Sequence, residues 1–315
     1  MRVDAEEERM RYVSFVEPAT QRASWGVQID DGRTLDLQAA GASLGRKGAP
    51  SLLEHIREGR SSWDLARISL EALRKGMLEE AVLDEKSVSL LAPIPRPPKN
   101  VFALGLNYAD HVAELGSGLA LPDAPVYFSK ASTAVIGPNA AVVADRRLTN
   151  RLDWEVELGL VIGTGGRWIG RDRALDHIFG YTIVNDISAR DLHERRPADQ
   201  WFLAKSMDGF CPMGPVLVSA EEIGDPQDLK LALRVNGVEK QRSNTKRMIF
   251  GVAEIIADLS RYVTLEPGDV ITTGTPSGTG VGRVPPEFLR AGDVMEAEIE
   301  TIGVLRTPVT EPTLA

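Results

Sequence analysis

The sequence predicts an α+β protein rich in strands, with a small mixed α/β N-terminal domain over residues 1–91 and a larger domain over 92–315. Three features predict it. Short apolar runs bounded by Gly, Pro, Asn and Asp recur beyond residue 100, the pattern of strands between turns. Helical periodicity is confined to a few stretches that do not alternate regularly with those runs, which argues against a doubly wound nucleotide-binding fold. Between the two regions, "LLAPIPRPPKN" (90–100) carries four prolines. Proline fixes φ and removes a backbone donor, so this stretch reads as an extended linker, with the boundary near residue 92.

Along the chain, residues 11–37 read as short strands, turned by "DDGR" at 30–33. The stretches "SLLEHIREG" and "SSWDLARISLEALRKG" follow with amphipathic helical spacing. Past the linker, apolar runs at 101–105, 158–162, 181–184, 216–218, 231–235, 270–273 and 294–299 predict strands. "EPGDV" and "RAGDV" each set a Gly-Asp turn before one of them. One helix is predicted over 248–262, where Ile249, Phe250, Val252, Ile255, Ile256 and Leu259 keep helical spacing.

A net charge of −9 disfavours nucleic acid, whose phosphates need a basic face. The single cysteine, Cys211, leaves no intrachain disulfide or cysteine-rich metal site and is expected to pack as a small hydrophobe. The acidic start "MRVDAEEERMR" lacks a secretory pattern, and no apolar run approaches the ~20 residues of a spanning helix. A cytoplasmic protein with no membrane partner is the expectation.

Chemistry concentrates in "LDWEVELGLVIG" (152–163). Read as one strand, it places Asp153, Glu155 and Glu157 on a single face, and like charges held that close repel. Asp186, ending the apolar run of "GYTIVNDISARDL", offers a further carboxylate. Glu155, Glu157 and Asp186 would give three hard oxygen ligands of the kind Mg²⁺ prefers, and a bound cation would make their burial tolerable. Spacing alone leaves equally open a solvent-facing acidic surface on a one-sided sheet. Asp153 reads as a surface or turn residue.

Taken in order, "VFALGLNYADHVAEL", "DWEVELGLVIG", "GYTIVNDISARDL", "QWFLAKSMDGFCPMGP", "VNG…QRSNTKRMIFGVAEIIADLS" and "PGDVITTGTPSGTGVG" resemble the fumarylacetoacetate hydrolase family over roughly residues 92–310. The resemblance implies a mixed β-roll catalytic domain, a homodimer, and a divalent cation, usually Mg²⁺ and sometimes Mn²⁺ or Ca²⁺. It maps the metal ligands onto Glu155, Glu157 and Asp186. The eponymous hydrolase has a further aspartate upstream of its catalytic histidine. Here that region reads "ALGLNYADH", so the sequence resembles the three-carboxylate branch that includes acylpyruvases and hydroxymuconate isomerases.

His111 and Glu114 stand three apart in "NYADHVAEL" and would share a face of a short helix. A carboxylate beside an imidazole fixes its tautomer and raises its basicity, as suits a general base. Alone, this spacing reads first as a surface ion pair; the resemblance places it on a catalytic lid. Lys205, flanked by apolar and aromatic residues in "QWFLAKSMDG", needs an anionic partner, and the resemblance puts it in the site as a third catalytic group. Arg190 and Thr275 match family residues near the metal and the substrate carboxylate. Read without the family, they would be a structural ion pair and a tight turn. His193 stands where some relatives carry glutamine, and His55 and His177 are expected to be structural or exposed. The loop "TTGTPSGTG" has no Gly-Lys-Ser/Thr, so ATP is not indicated.

The function these residues permit first is metal-dependent hydrolysis of a C–C bond in a 2,4-dioxo acid of acylpyruvate or fumarylpyruvate type, with His111 activating water. The alternative is isomerisation or decarboxylation of a 2-oxo or 2-hydroxymuconate-type diacid through the same enolate. A noncatalytic ligand-binding protein on the same scaffold would lack a base or a metal ligand, and neither is visibly missing.

Overall fold

The structure, a computed structural model, describes residues 10–29, 32–116, 120–195 and 201–313. At its centre is the strand Val156–Ile162, buried along its whole length. It pairs antiparallel with Ile178–Asn185 on one side and Val270–Thr272 on the other. A strand covered on both faces reads as a continuous apolar run, which is why the sequence shows both so clearly.

From Ile178–Asn185 the sheet passes to Cys211–Ser219 and then directly into the N-terminal region, through the pairs Arg11↔Val218 and Tyr12↔Leu217. Strands Arg11–Glu17, Arg22–Gln28, Thr34–Asp36 and Val82–Leu83 complete that side. Beyond Val270–Thr272 lie Val101–Gly105, parallel to it, and the edge strand Val126–Lys130. The result, among the described residues, is an open sheet of twelve strands, with a second sheet of five packed across its central strands. The chain is therefore α+β and strand-rich, and its first segment extends the main sheet. Asp30 and Asp31 of the predicted hairpin turn lie outside the described residues.

Helices Leu52–Glu58 and Arg60–Arg74 form where the amphipathic spacing placed them. The third begins at Val252 rather than 248. Asn107 explains the delay: its carbonyl accepts from Ile249 N and its Oδ1 from Phe250 N, so the backbone there is anchored outside the helix. Besides several strands of two or three residues, three longer ones were not visible in the sequence: Val126–Lys130, Val238–Asn244 and Gly303–Thr310. Val238–Asn244 is polar and mostly exposed, with only Gln241 buried, so it carries little apolar signal. No helix among the described residues is long and apolar enough to cross a membrane.

An aromatic cluster joins the N-terminal helices to the central sheet. Trp63 meets Phe179 edge-on at 4.9 Å, Tyr12 lies 5.1 Å from Phe179, and Trp25 lies 4.5 Å from the fully buried His55. Burial pushes the His55 imidazole down to about 4 from its ordinary 6.5. Above pH 6.5 the ring is neutral folded or unfolded. As pH falls from 6.5 towards 4 the unfolded chain takes a proton that the folded one refuses, so stability drops, on the order of 3 kcal/mol across the window. His55→Leu should flatten that part of the acid slope; melting temperatures of both proteins against pH check it, and identical slopes would refute it.

Candidate active site

"LDWEVEL" does not form one strand. Leu152–Asp153 pairs with Ser188–Ala189 in a separate ladder, and the central strand starts only at Val156. Asp153 causes the break by accepting from Trp154 N through its own Oδ1 (2.8 Å), a local bond that competes with strand pairing. Nor is Asp153 a surface or turn residue. It is fully buried, and its oxygens also accept from Gly280 N (2.7 Å), Val281 N (3.0 Å) and Arg190 Nε (2.8 Å). The expectation failed because these partners lie far along the chain.

Glu155, Glu157 and Asp186 do converge. Their side-chain oxygens lie within 4.8 Å of one another, all buried. Two backbone ties set this: Asp186 N donates to Glu155 O at 2.8 Å, and Glu155 N to Asn185 Oδ1 at 3.0 Å. Glu157 sits opposite Val184 on the neighbouring strand.

Cations surround two of the three acids. Lys205 Nζ donates to Glu155 Oε2 (2.7 Å) and Asp186 Oδ2 (2.8 Å), and Arg190 donates to Glu155 Oε1 at 2.5 Å. The fully buried Lys130 donates to Asp186 Oδ1 and to the carbonyl of Lys205. Sequence reading missed Lys130. Its signal was a lysine ending the semi-apolar "VYFSK", the same cue that singled out Lys205.

Burial alone would raise Glu155, but the charges of Lys205 and Arg190 outweigh it and hold the carboxyl below the usual range. Glu157 goes the other way. Burial raises it, and repulsion from Asp186 and Glu155 raises it further. Its Oε2 accepts from Gly274 N at 2.9 Å, and among the described residues no Lys or Arg forms an ion pair with it. Burial opposes the charge on Lys205, yet Asp186 and Glu155 keep it raised and cationic.

The trio fits a hard divalent ion. It presents three carboxylates, one of them destabilised by its neighbours in the way a cation would relieve. The oxygens already bonded to Lys and Arg keep further lone pairs for coordination.

His111 faces the same space from the helix Ala109–Leu115, which also carries Glu114. His111 Nδ1 lies 2.9 Å from Glu114 Oε1, and Glu114 also accepts from Gly278 N (2.7 Å) and Thr279 Oγ1 (2.8 Å). Burial would raise Glu114, but the bonds from His111, Gly278 and Thr279 lower it. An ionised carboxylate only accepts, so Nδ1 carries the proton and Nε2 is the basic nitrogen. Gly282 makes the fit possible, since a Cβ there would lie 2.5 Å from Glu114 Cδ.

Thr275 Oγ1 donates to Val156 O (2.9 Å) and accepts from Gln241 Nε2 (2.8 Å). Gln241 Oε1 in turn accepts from Val156 N at 3.0 Å. Gln241, passed over in the sequence, thus ties the glycine-rich loop to the strand between the two glutamates. His193 lines the cavity with its Nε2 buried and without a hydrogen-bond partner among the described residues, and burial followed by the charges of Lys205 and Arg190 pushes it down to about 4. His177 stands apart, on Thr164 O at 2.7 Å. Burial pushes Cys211 up to about 12, in keeping with a packing role.

His111, Glu155, Glu157, Arg190, Lys205 and Thr275 all border one cavity of about 180 Å³, together with Leu104, Leu106, Leu115, Phe128, Trp201 and Val281. Its lining is thus both charged and apolar. The family model for the fumarylacetoacetate (FAA) hydrolase C-terminal region matches residues 100–310. Oxaloacetate tautomerase YisK of Bacillus subtilis (strain 168) is 44% identical over 288 residues, spanning 90% of this chain and 95% of that protein. Among solved structures, a fumarylacetoacetate hydrolase from Exiguobacterium antarcticum is 37% identical with a TM-score of 0.76, covering 96% of this chain and 100% of that one. The 5-carboxymethyl-2-hydroxymuconate delta-isomerase from Mycobacterium smegmatis is 30% identical with a TM-score of 0.72, over 96% of this chain and 100% of that one.

Proposed function

Since the chain belongs to the fumarylacetoacetate hydrolase family, we propose that it is a divalent-metal-dependent enzyme that interconverts the keto and enol forms of a compact 2-oxo diacid such as oxaloacetate. The observation that carries this reading is the imidazole of His111, bonded to Glu114 and facing the cavity that Glu155 and Glu157 of the carboxylate trio border. The names of the Bacillus tautomerase and the Mycobacterium isomerase support proton relocation over bond cleavage.

A hard divalent ion, Mg²⁺ by the chemistry of its ligands, supplies positive charge that favours the enolate form when bound. The rest falls to the chain. Lys205 and Arg190 present cationic donors to the acid end of the substrate. His111 Nε2 takes the proton from C3 and returns it to oxygen, or the reverse, while Glu114 steadies the imidazolium that forms. The apolar side chains of the lining limit the bulk water that competes for that proton.

C–C hydrolysis of a 2,4-dioxo acid is the second reading, because the same His111–Glu114 pair would activate water if one is admitted. The test offers oxaloacetate and an acylpyruvate to the purified protein with Mg²⁺ and with EDTA. Fast enol-to-keto conversion of oxaloacetate in Mg²⁺, abolished by EDTA, is the expected result. Pyruvate release from the acylpyruvate would select hydrolysis, CO₂ release from oxaloacetate would select decarboxylation, and inertness toward both would favour a ligand-binding role.

A further inference from the structure

Among the apolar residues that line the cavity, Trp201 has little freedom to retreat. The six-membered ring of Trp201 presses on the backbone of Gly105, where an added Cβ would lie 2.2 Å from Cζ3 and 2.7 Å from Cη2. Phe128 meets the same indole at 5.3 Å with planes at 74°, and the His193 ring stacks beside it at 6.2 Å and 20°. Strand backbone, Phe128 and His193 thus flank Trp201, which also lines the cavity. A space of about 180 Å³ is small beside the roughly 300–1,000 Å³ of pockets for drug-sized ligands.

We propose that Trp201, seated on Gly105, is the specificity-determining wall that limits this enzyme to short 2-oxo acids and turns away those with long acyl tails. The proposal rests on the 2-oxo acid reading of the site and adds what sets the permitted length. Glycine at 105 is required by the indole alone: its backbone is not in the left-handed region, so alanine is conformationally acceptable there. In Gly105→Ala the new methyl must push the ring, and the ring borders the cavity, so the shift should reach the substrate space. Trp201→Ala removes the object that the methyl strikes, so the two changes must be non-additive.

The experiment measures binding by calorimetry on the Mg²⁺-loaded protein, using pyruvate, oxaloacetate and a series of 2,4-dioxo acids of increasing tail length. It covers the wild type, Gly105→Ala, Trp201→Ala and the double variant, with Mn²⁺ affinity as the control that each site is intact. The wild type should bind the short acids and lose about tenfold or more as the tail lengthens, and Trp201→Ala should recover most of that loss. Gly105→Ala should weaken oxaloacetate by about tenfold, but by less than about threefold when Trp201 is already alanine. Trp201→Leu, which keeps an apolar side chain ahead of the short helix Phe202–Lys205, should show the same gain in smaller measure. An unchanged length profile in the alanine and leucine variants, or additive effects of the 105 and 201 changes, would overturn the proposal. Failure of wild-type protein to bind any 2-oxo acid, with Mn²⁺ affinity intact, would instead overturn the functional reading beneath it.

Discussion

Replacing Glu157 with glutamine is expected to lower turnover by about 10³-fold or more and to weaken divalent-ion binding, while leaving the metal-free protein as stable as before or more so. The reasoning lies in who neighbours whom. Glu155 is held by Arg190 and Lys205, whereas Glu157 is raised by burial and by repulsion from Asp186 and Glu155. A carboxyl raised above its unfolded value of 4.5 favours the fold in its neutral form, so its contribution is present at low pH and is lost as pH rises through the raised value. Glutamine stays neutral, and the variant should lose less stability than the wild type over that rise. Glu155→Gln should behave oppositely, because it strips a buried acceptor from two cations, a loss on the order of 3–5 kcal/mol for a broken buried pair. Unfolding in EDTA across pH, paired with Mn²⁺ calorimetry, separates the two. Equal destabilisation by both substitutions would contradict this account of the charges.

His111→Ala should reduce kcat by about 10²–10⁴-fold, the usual contribution of a positioned base, with metal affinity unchanged. Its Nδ1 is spoken for by Glu114 and its ring borders the cavity, so removal takes away the proton carrier and leaves the carboxylate trio intact. Glu114→Gln should fall between, because a neutral acceptor steadies the imidazolium less well while the contacts to Gly278 and Thr279 remain available to it. Rates under saturating Mg²⁺ together with Mn²⁺ binding decide the matter. A variant at 111 that lost metal and activity together would make the histidine structural.

Much of this was readable in the sequence where one element determines the outcome. The central strands announced themselves because burial on both faces demands unbroken apolar runs; helical spacing gave the contact of His111 with Glu114, while spacing alone read it as a surface pair and only the resemblance put it at a site. What stayed hidden depends on distant segments meeting. Asp153 looked like a turn because nothing local shows Arg190 and the 280–281 amides closing on it. Lys130 needed Asp186, fifty-six residues on, to explain its burial. Gln241 sits in a polar strand with no apolar signature, yet its amide holds the loop that carries Thr275. The N-terminal strands gave no hint that the first of them, Arg11–Glu17, would pair with Cys211–Ser219 and prolong the main sheet.

The most direct measurement is a crystal of the protein soaked in Mn²⁺, examined by anomalous diffraction. The account predicts one peak bounded by an oxygen each from Glu155, Glu157 and Asp186, at about 2.0–2.2 Å by analogy with Mg²⁺ sites, and no such peak in Glu157→Gln. A Mn²⁺ ion bound elsewhere, with Lys205 still bridging Glu155 and Asp186 and the enzyme active, would contradict it.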